Sequence, residues 1–405
     1  MSNQNKSWHE RLHDTMPHGS STTSKNPVYI PDEPEIIVRG KGCRVYDDKG
    51  REFIDFRNSL GPVTLGYCYP EVNEAIKAQL ENGIIFGHPT ALEAEVSEMF
   101  CERVPCAEQA KFLKTGGEAC AAAIYIARAY TGKNHIIQIG YNGWLNTLGV
   151  GAKILPNQTS MEKPGVPAQI SALYHPTGWN NTEAIEKLYA EYNDDIAAII
   201  VAADYANFEA GKTFYPWLRE FTKKHNSLLI LDEIVTGFRV ALGGVQEYFG
   251  FKPDLCVYAK GIANGMPLSV YAGSKEVMQT CKKPGFSISS TYGGETLSLA
   301  ACRAVMQVHA KHNVVGHIWE QGEFVWGELD KMLVEKGIPV RMKGVAPMKQ
   351  IAIQPDAPAD MHKRFFSAAY RNGVSFYNTS YVNFSHKRED LEEVLQRMSR
   401  AIEEM

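Results

Sequence analysis

The sequence predicts an α/β protein whose main sheet is mostly parallel and is covered by helices on both faces. Short apolar runs alternate with amphipathic helical segments from about residue 90 to residue 275. Continuous apolar strands between helices are typical of parallel sheets that are buried on both faces. From about residue 310 the pattern changes to a helix, short strands and a charged C-terminal helix, which predicts a second, smaller α/β unit.

Local signals place the individual elements in chain order. Residues 42–56 predict two short strands around a turn at Asp48-Lys49-Gly50. Residues 70–83 predict an amphipathic helix that is closed by Gly83. Further helices are expected at 91–103, 118–130, 182–192 and 214–225. The apolar runs that predict strands are 135–140, 196–201, 228–232, 255–260 and 269–274.

Composition and charge disfavour several classes of partner. Of the 405 residues, 44% are hydrophobic and 22% are charged, and the formal net charge is −4. Without a long basic run, nucleic acids and anionic membranes are poor partners. No apolar stretch approaches the roughly 18–20 residues that cross a bilayer. The polar N-terminus has no apolar signal-peptide core, so we expect a cytoplasmic protein.

The eight cysteines are scattered along the chain, and none of them forms a CxxC pair. This spacing predicts reduced, partly buried thiols rather than disulfides or a zinc site. We therefore expect no metal centre.

Two charged side chains stand where neighbouring predicted strands end. Asp232 closes the run 228–231, and Lys260 follows the run 255–259. Ligands of open α/β sheets bind outside the carboxyl ends of the strands. A desolvated lysine there can attack an aldehyde, and the carboxylate can meet a cation. The residues alone leave alternatives open, because Asp232 could cap the next segment or pair with Arg239, and Lys260 could cap a helix at the surface.

A glycine turn precedes an Ala-rich helix in the stretch KTGGEACAAAIYIARAY, which contains Thr115, Gly116 and Gly117. The exposed N–H groups at such a helix start suit a phosphate, although a plain turn remains an alternative. The stretch is neither GxGxxG nor GxxxxGK[ST]. A nicotinamide dehydrogenase and a Walker-type nucleotide site are therefore disfavoured.

Together these stretches resemble the class III aminotransferases that use pyridoxal 5′-phosphate (PLP), of fold type I. The branch that contains glutamate-1-semialdehyde aminomutase is the most similar. The most specific stretch is DEIVTGFRVALGGVQEYFGFKPDLCVYAKGIANGMPLSVYAGSKEVM, residues 232–278, and weaker similarity extends from about residue 27 to the C-terminus. The resemblance implies a seven-stranded, mostly parallel sheet in a large PLP-binding domain, 66–308. The C-terminal segment 309–405 would form the small α/β domain, and the N-terminal segment 1–65 would be part of that domain and of an active-site lid.

The resemblance also implies roles for single residues. Lys260 would bind PLP covalently and then move a proton between the substrate carbon and cofactor carbon C4′. Asp232 would pair with the protonated pyridine nitrogen, which makes the ring a better electron sink. Ile234 would pack on one face of the ring, and Tyr141 would stack on the other.

Further cofactor contacts are implied in the same way. Gly116 and Gly117 match the phosphate-binding turn, with Thr115 as a further hydroxyl donor. Asn207 matches a residue near the phenolic oxygen of the cofactor. Thr291 matches a threonine that reaches the phosphate bound by the other subunit, which implies a homodimer with its active sites at the interface.

Departures from the family pattern bear on the substrate. The usual Glu-Pro pair before Asn207 is Ala202-Ala203, and the usual Tyr-His-Gly is Tyr141-Asn142-Gly143. An arginine that holds a substrate carboxylate is replaced by Tyr29, and a tryptophan near the substrate by Leu60. Arg57 could take over the carboxylate, but an exposed strand-end arginine is the favoured interpretation. The candidate substrate residues are Tyr29, Arg57, Ser59 and Tyr377. A more hydroxyl-rich pocket is expected to be lined by Tyr29, Asn58, Ser59, Tyr377, Asn378 and Tyr381.

We therefore expect an aminotransferase that takes an amino group from a small-molecule donor and aminates a keto or aldehyde acceptor. The hydroxyl-rich residues favour a polyhydroxylated or sugar-like acceptor. The alternative is an intramolecular 2,1-aminomutase of the glutamate-1-semialdehyde type, which uses the same residues on one carbon skeleton. Decarboxylation, racemisation and a PLP-binding regulator without turnover remain less favoured alternatives.

Overall fold

A computed structural model describes residues 6–26, 30–145, 165–193 and 195–405 of the chain. These residues fall into two compact units. The larger unit comprises 61–65 and 70–317, and the smaller unit combines 1–60, 66–69 and 318–405. Within the described ranges, no helix has both the length and the apolar character needed to cross a membrane.

The strands lie at the following positions: β1 Ile37–Lys41, β2 Arg44–Asp47, β3 Glu52–Asp55, β4 Gln109–Leu113, β5 His135–Ile139, β6 Tyr174–Thr177, β7 Ile196–Ala202, β8 Leu228–Asp232, β9 Leu255–Tyr258, β10 Ser269–Gly273, β11 Val340–Val345, β12 Met348–Ile353, β13 Val374–Ser375 and β14 Thr379–Tyr381. The helices are α1 Trp8–Thr15, α2 Pro70–Leu80, α3 Ala91–Arg103, α4 Gly116–Thr131, α5 Ala168–Ser171, α6 Thr182–Glu191, α7 Gly211–Lys224, α8 Gly244–Tyr248, α9 Lys275–Met278, α10 Thr296–Lys311, α11 Val314–Glu335, α12 Met361–Arg371 and α13 Arg388–Glu403.

The larger unit is built on a seven-stranded sheet of order β4-β10-β9-β8-β7-β5-β6. Pairings β9-β8, β8-β7, β7-β5 and β5-β6 are parallel. Strand β10 is antiparallel to both of its neighbours, β4 and β9. Because β4 and β9 both oppose β10, they run in the same direction. The predicted α/β class, with a mostly parallel seven-stranded sheet, is confirmed.

Both faces of this sheet are covered, as the continuous apolar strands predict. Helix α4 packs against β7, β8, β9 and β10, and α7 packs against β8. Side chains of a strand alternate between the two faces. In β8, Leu228 and Ile230 belong to the apolar core that includes the alanines of α4, so Asp232, two residues on, points to the same face. Leu229 and Leu231 on the other face are fully buried as well.

The smaller unit is built from both ends of the chain. Its four-stranded sheet has the order β1-β2-β3-β13, and its three-stranded sheet the order β11-β12-β14. Strand β13 pairs in parallel with β3, which joins the C-terminal segment to the N-terminal one. Rings of Phe56, Trp326 and Phe376 pack together in its core. The expectation of a smaller α/β domain formed by both termini is confirmed.

Candidate active site

The carboxyl ends of the strands in the larger unit bring most of the predicted cofactor residues to one edge of the sheet. Six of the seven strands, all except β10, run in the same direction. Ligand sites of open α/β sheets lie beyond this edge. The predicted residues found at or just after these strand ends are Thr115, Gly116, Gly117, Tyr141, Asn207, Asp232, Ile234 and Lys260.

Asp232 is a buried carboxylate that is held by donors from three parts of the chain. Its Oδ2 accepts hydrogen bonds from Asn142 Nδ2 at 3.1 Å and from Cys120 Sγ at 3.6 Å. Its Oδ1 accepts the backbone N–H of Ile234 at 3.1 Å, so the cap suggested by the sequence is present on that oxygen. Burial raises the pKa of Asp232, while these hydrogen bonds and the Lys260 charge oppose the rise.

Lys260 follows β9, which pairs with β8, the strand that ends at Asp232. It begins a short 3-10 turn, Lys260–Ala263, and its φ of 50° is in the left-handed region. Burial lowers the pKa of Lys260 to about 8, the nearby Asp232 carboxylate opposes this, and Arg239 adds to it. A larger fraction of the amine is therefore neutral near pH 7 than for an exposed lysine. This is the state in which a lysine attacks an aldehyde.

The alternative pairing of Asp232 with Arg239 has no support in the hydrogen bonds of the described residues. The guanidinium of Arg239 is buried and donates to two backbone carbonyls, those of Val235 and Gly61. Lys260 is partly buried, so the interpretation as a surface lysine is wrong.

The glycine turn precedes α4 as predicted. Thr115 is the N-cap residue, and it forms a capping box with Glu118. The Thr115 hydroxyl donates to Glu118 Oε2 at 2.9 Å, so in this structure it serves the cap. The N–H groups of Gly116 and Gly117 lie in the first helical turn, where intrahelical acceptors are lacking. These two amides suit an anion at the start of a 16-residue helix.

Gly116 also makes room for Ile234. A Cβ atom at Gly116 would lie 2.5 Å from Ile234 Cδ1, so any larger residue would displace that side chain. Tyr141, the other predicted stacking residue, is 59% exposed. Burial of part of its ring and then the Asp232 charge raise the pKa of Tyr141. The predicted stacking roles of both residues stay predictions.

Two further predicted cofactor residues lie on exposed loops of the larger unit. Asn207 is exposed and donates from Nδ2 to Asp204 Oδ2 at 2.8 Å. Thr291 is exposed in the loop that precedes α10. Neither observation tests the predicted contacts with the cofactor.

Three of the predicted substrate residues, Arg57, Ser59 and Tyr377, belong to the smaller unit. Arg57 is partly buried and forms an ion pair of 2.8 Å with the buried Glu33, and its guanidinium lies 4.9 Å from the ring centre of Tyr377. The interpretation of Arg57 as an exposed strand-end arginine is therefore wrong. Ser59 has a φ of 54°, within a run of left-handed residues from 58 to 60. Tyr29 lies outside the described residues.

Sequence reasoning missed two residues that contact Asp232. In the sequence, Cys120 is one of the scattered cysteines, and Asn142 is a departure from the family pattern. Cys120 lies one helical turn after Gly116, at i+4, and therefore on the same face of α4. That spacing was the available signal for Cys120, whereas nothing in the sequence pairs Asn142 with Asp232.

The chemistry of this edge fits PLP. A buried carboxylate that is held by uncharged donors accommodates the protonated pyridine nitrogen, because a cation there would offset the cost of burial. Asn142 Oδ1 is buried and has no hydrogen-bond partner among the residues that the structure describes. This edge of the sheet therefore has an acceptor that a bound ligand could use. Two glycine amides at a helix start suit the phosphate, and Lys260 suits the aldehyde.

Comparison with known proteins gives the same result over nearly the whole chain. The family model described as Aminotransferase class-III matches residues 29–402. Glutamate-1-semialdehyde 2,1-aminomutase of Natranaerobius thermophilus is 31% identical, over 96% of this chain and 95% of that protein.

Solved structures with the same fold include two PLP proteins. The FumI protein of Sphingopyxis sp. MTA144, in its PLP internal aldimine form, superposes with a TM-score of 0.89 at 23% identity, covering 98% of this chain and 95% of that one. A transaminase with PLP bound superposes with a TM-score of 0.88 at 25% identity, covering 100% and 98%. The chain therefore belongs to the class III aminotransferases of fold type I, a family whose cofactor is pyridoxal 5′-phosphate.

Proposed function

We propose that the protein is an aminotransferase that moves an amino group from a small-molecule donor to a keto or aldehyde acceptor. The observation that carries the proposal is the pairing of a lysine of lowered pKa with a buried carboxylate at neighbouring strand ends. PLP, when bound, supplies an electron sink for the carbanion that forms when the substrate loses a proton. The chain itself has to bind the cofactor, orient it and move protons.

Lys260 is the proposed proton carrier. Its amine accepts a proton from the substrate carbon and returns it on the cofactor side, which requires a group whose pKa is near the working pH. Burial brings the pKa of Lys260 to about 8, from a usual value of 10.5. The amine is therefore both a competent base and, once protonated, a competent acid near neutral pH.

The remaining cofactor residues have binding and orienting roles in this proposal. Asp232 holds the proton on the pyridine nitrogen, and the amides of Gly116 and Gly117 bind the phosphate. Ile234 and Tyr141 orient the ring from its two sides. Asn207 contacts the phenolic oxygen. Thr115 has its hydroxyl in the capping box, so its contact with phosphate would come from a rearranged side chain.

A 2,1-aminomutase is the second candidate, and it is supported by the relative from Natranaerobius thermophilus, which carries that name. The two reactions use the same catalytic residues, so the site cannot separate them. They differ in their demand for a second substrate. Turnover of a single amino-aldehyde without any added donor supports the mutase, whereas turnover that requires both a donor and an acceptor supports the transferase.

We infer that the substrate lacks a carboxylate bound by Arg57. The buried Glu33 already compensates the Arg57 charge, and a second carboxylate there would displace a strong charge-assisted contact. The hydroxyl-bearing Ser59 and Tyr377 favour a polyhydroxylated acceptor. Their contact with substrate stays a prediction.

We also propose a homodimer in which Thr291 of one chain contacts the phosphate held by the other. The exposure of Thr291, of Tyr292 at 60% and of Trp144 at 76% in the single chain is what a covered dimer surface requires. No nucleic acid or membrane has a role in this reaction, and we expect it to take place in the cytoplasm.

A donor screen on the purified, PLP-loaded protein tests the proposed reaction. The visible absorbance of the bound cofactor is followed after adding glutamate, glutamine, alanine or an amino sugar. Loss of that band with at least one donor, and its return with a carbonyl compound, is the expected result for a two-step transfer. If no donor changes the band, and one amino-aldehyde alone is turned over, the mutase is the correct function.

A further inference from the structure

The carboxylate of Asp232 receives two side-chain donors that neither the family assignment nor the proposed reaction accounts for. Asn142 follows β5, and Cys120 lies in the second turn of α4, so the two donors come from different elements. Both contact the same atom, Oδ2, at 3.1 Å and 3.6 Å respectively. Cys120 is fully buried, and Asn142 is 1% exposed.

We propose that Asn142 and Cys120 are positioning residues, which hold the Asp232 carboxylate in one orientation toward the pyridine nitrogen of the cofactor through donors that stay uncharged. The proposal rests on the function proposed above, because it assumes that Asp232 meets that nitrogen. It adds to that function the two side chains that set the geometry and basicity of the carboxylate.

Hydrogen-bond donors on both oxygens restrict the orientation of the Asp232 carboxylate. The N–H of Ile234 holds Oδ1 at 3.1 Å, while Asn142 and Cys120 hold Oδ2. A carboxylate with donors on both oxygens from three elements has little rotational freedom about its Cβ–Cγ bond. Removal of the Asn142 amide would leave Oδ2 with the thiol, which is a weak donor.

The donors remain uncharged over the working range of pH. The Asn142 amide has no titratable proton in this range. Burial, followed by the Asp232 charge, raises the pKa of Cys120 well above its usual value, so the thiol stays protonated. The titratable or charged groups that also act on this carboxylate or on its neighbours are Lys260, Tyr141, Tyr215 and Arg239. The two side-chain hydrogen bonds to Asp232 Oδ2 come from Asn142 and Cys120 and from none of these groups.

The test measures PLP binding and the visible absorbance of the bound cofactor in single variants. Asn142→Ala is expected to raise the dissociation constant of PLP on the order of 10-fold and to shift the visible band, because a hydrogen bond to a charged acceptor is lost. Cys120→Ala is expected to have a smaller effect, about 3-fold, since S–H is the weaker donor. Cys120→Ser retains a donor and is expected to behave like the wild type.

Asn142→His is the decisive variant, because it replaces an uncharged donor with a titratable one. It is expected to recover most of the PLP affinity lost in Asn142→Ala. It should also add a spectral transition between about pH 5.5 and 7.5 that the wild type lacks. A purely structural role of Asn142 would not produce such a pH-dependent step.

A matched control separates positioning from packing. Cys302→Ala removes another fully buried thiol of the larger unit, on α10, whose pKa is raised by burial with no contribution from the Asp232 charge. It should lower the melting temperature about as much as Cys120→Ala does without changing the visible band. Circular dichroism of each apoprotein establishes that the variants are folded.

The proposal is overturned if folded Asn142→Ala and Cys120→Ala bind PLP with wild-type affinity and an unchanged spectrum, or if Asn142→His adds no pH step. Failure of the proposed function is distinguishable, since in that case borohydride would fix no cofactor on Lys260 of the wild type. If Lys260 is labelled but the Asn142 and Cys120 variants keep the PLP affinity and spectrum of the wild type, only the positioning role is contradicted.

Discussion

At the residue scale, the account depends on the ionisation of Lys260. An ordinary lysine is almost fully charged at pH 7, and a charged amine cannot attack an aldehyde. In this fold, burial lowers the pKa of Lys260 to about 8, even though the neighbouring Asp232 carboxylate favours the charged form. Burial therefore makes the charged form of the amine less stable and increases the fraction of neutral, reactive amine.

This pKa predicts the pH dependence of cofactor incorporation. The rate at which the apoprotein takes up PLP should rise with pH, with a midpoint near 8, because the neutral amine is the reacting form. Stopped-flow absorbance of apoprotein mixed with PLP measures the rate between about pH 6 and 10. A midpoint above 10 would mean that burial does not lower the pKa of this lysine.

Replacement of the lysine gives a second prediction. Lys260→Ala should leave a folded protein that still binds PLP noncovalently, because Asp232, the glycine amides and Ile234 remain in place. Its turnover should fall by at least about 10³-fold, since both the covalent link and the proton carrier are lost. Measurable turnover near the wild-type rate would remove Lys260 from the mechanism.

Glu233, beside Asp232, has a structural role that the sequence left unexplained. It is fully buried on the opposite face of β8, and it accepts the N–H groups of Val245 and Gln246 and the hydroxyl of Thr236. Burial raises the pKa of Glu233 to about 7, although these hydrogen bonds oppose the rise. The two carboxylates therefore have different roles. Asp232 lies at the ligand edge of the sheet, and Glu233 accepts hydrogen bonds from the start of α8.

The shift at Glu233 predicts a pH-dependent stability difference. A carboxyl group whose folded pKa lies above its unfolded value loses stability as pH rises from about 4.5 to about 7. Glu233→Gln cannot ionise, so its free energy of unfolding relative to the wild type should increase over that range, by up to about 3 kcal/mol. Urea denaturation of both proteins from pH 5 to 8 measures the difference. A difference that is constant with pH would contradict the shift.

At the element scale, the strands that the sequence predicted are those in the middle of the sheet. Strands β5, β7, β8 and β9 are continuous apolar runs because both of their faces are covered. The apolar pattern does not indicate β4 and β6, which are the two edges of the sheet. An edge strand pairs on one side only and can carry polar residues or proline, as β6 does at His175 and Pro176, so its pattern is weaker.

The residues of the candidate site at the strand ends were predictable from the sequence, but the side-chain contacts of Asp232 were not. Asp232 and Lys260 lie at the ends of strands with strong local signals, the glycine turn precedes the predicted helix α4, and the parallel topology brings all three to one edge. The contacts of Asn142 and Cys120 with Asp232 depend on side-chain positions across β5, β8 and α4. The sequence shows only that Cys120 shares a face of α4 with Gly116, and nothing in it pairs Asn142 with Asp232, so sequence reasoning missed both contacts.

The start of α4 gives an element-scale prediction. In Gly116→Ala the new Cβ would meet Ile234 Cδ1 at 2.5 Å and push that side chain from its place beside the glycine turn. The PLP dissociation constant should rise on the order of 10-fold, and adding Ile234→Val, which removes Cδ1, should recover part of the loss. Gly178→Ala is the control, since its Cβ would meet nothing within 4 Å. Equal PLP affinity of Gly116→Ala and Gly178→Ala would contradict the prediction.

At the scale of the whole molecule, the proposed homodimer makes each active site depend on both chains. A hybrid of a Lys260→Ala chain and a Thr291→Val chain tests this dependence. If Thr291 acts across the interface, one of the two sites in the hybrid has both wild-type residues, and about half of the wild-type activity is expected in a symmetric dimer. If Thr291 acts within its own chain, the hybrid should have no more than about half the activity of Thr291→Val.

The central claim is that the ε-amine of Lys260 forms a covalent link with pyridoxal 5′-phosphate. Borohydride reduction of the PLP-loaded protein, followed by proteolysis and mass spectrometry of the peptides, tests the claim most directly. One pyridoxyl group per chain, attached to Lys260, is expected, and no label is expected in Lys260→Ala. A protein that binds PLP but carries the reduced label on another lysine, or carries none, would contradict it.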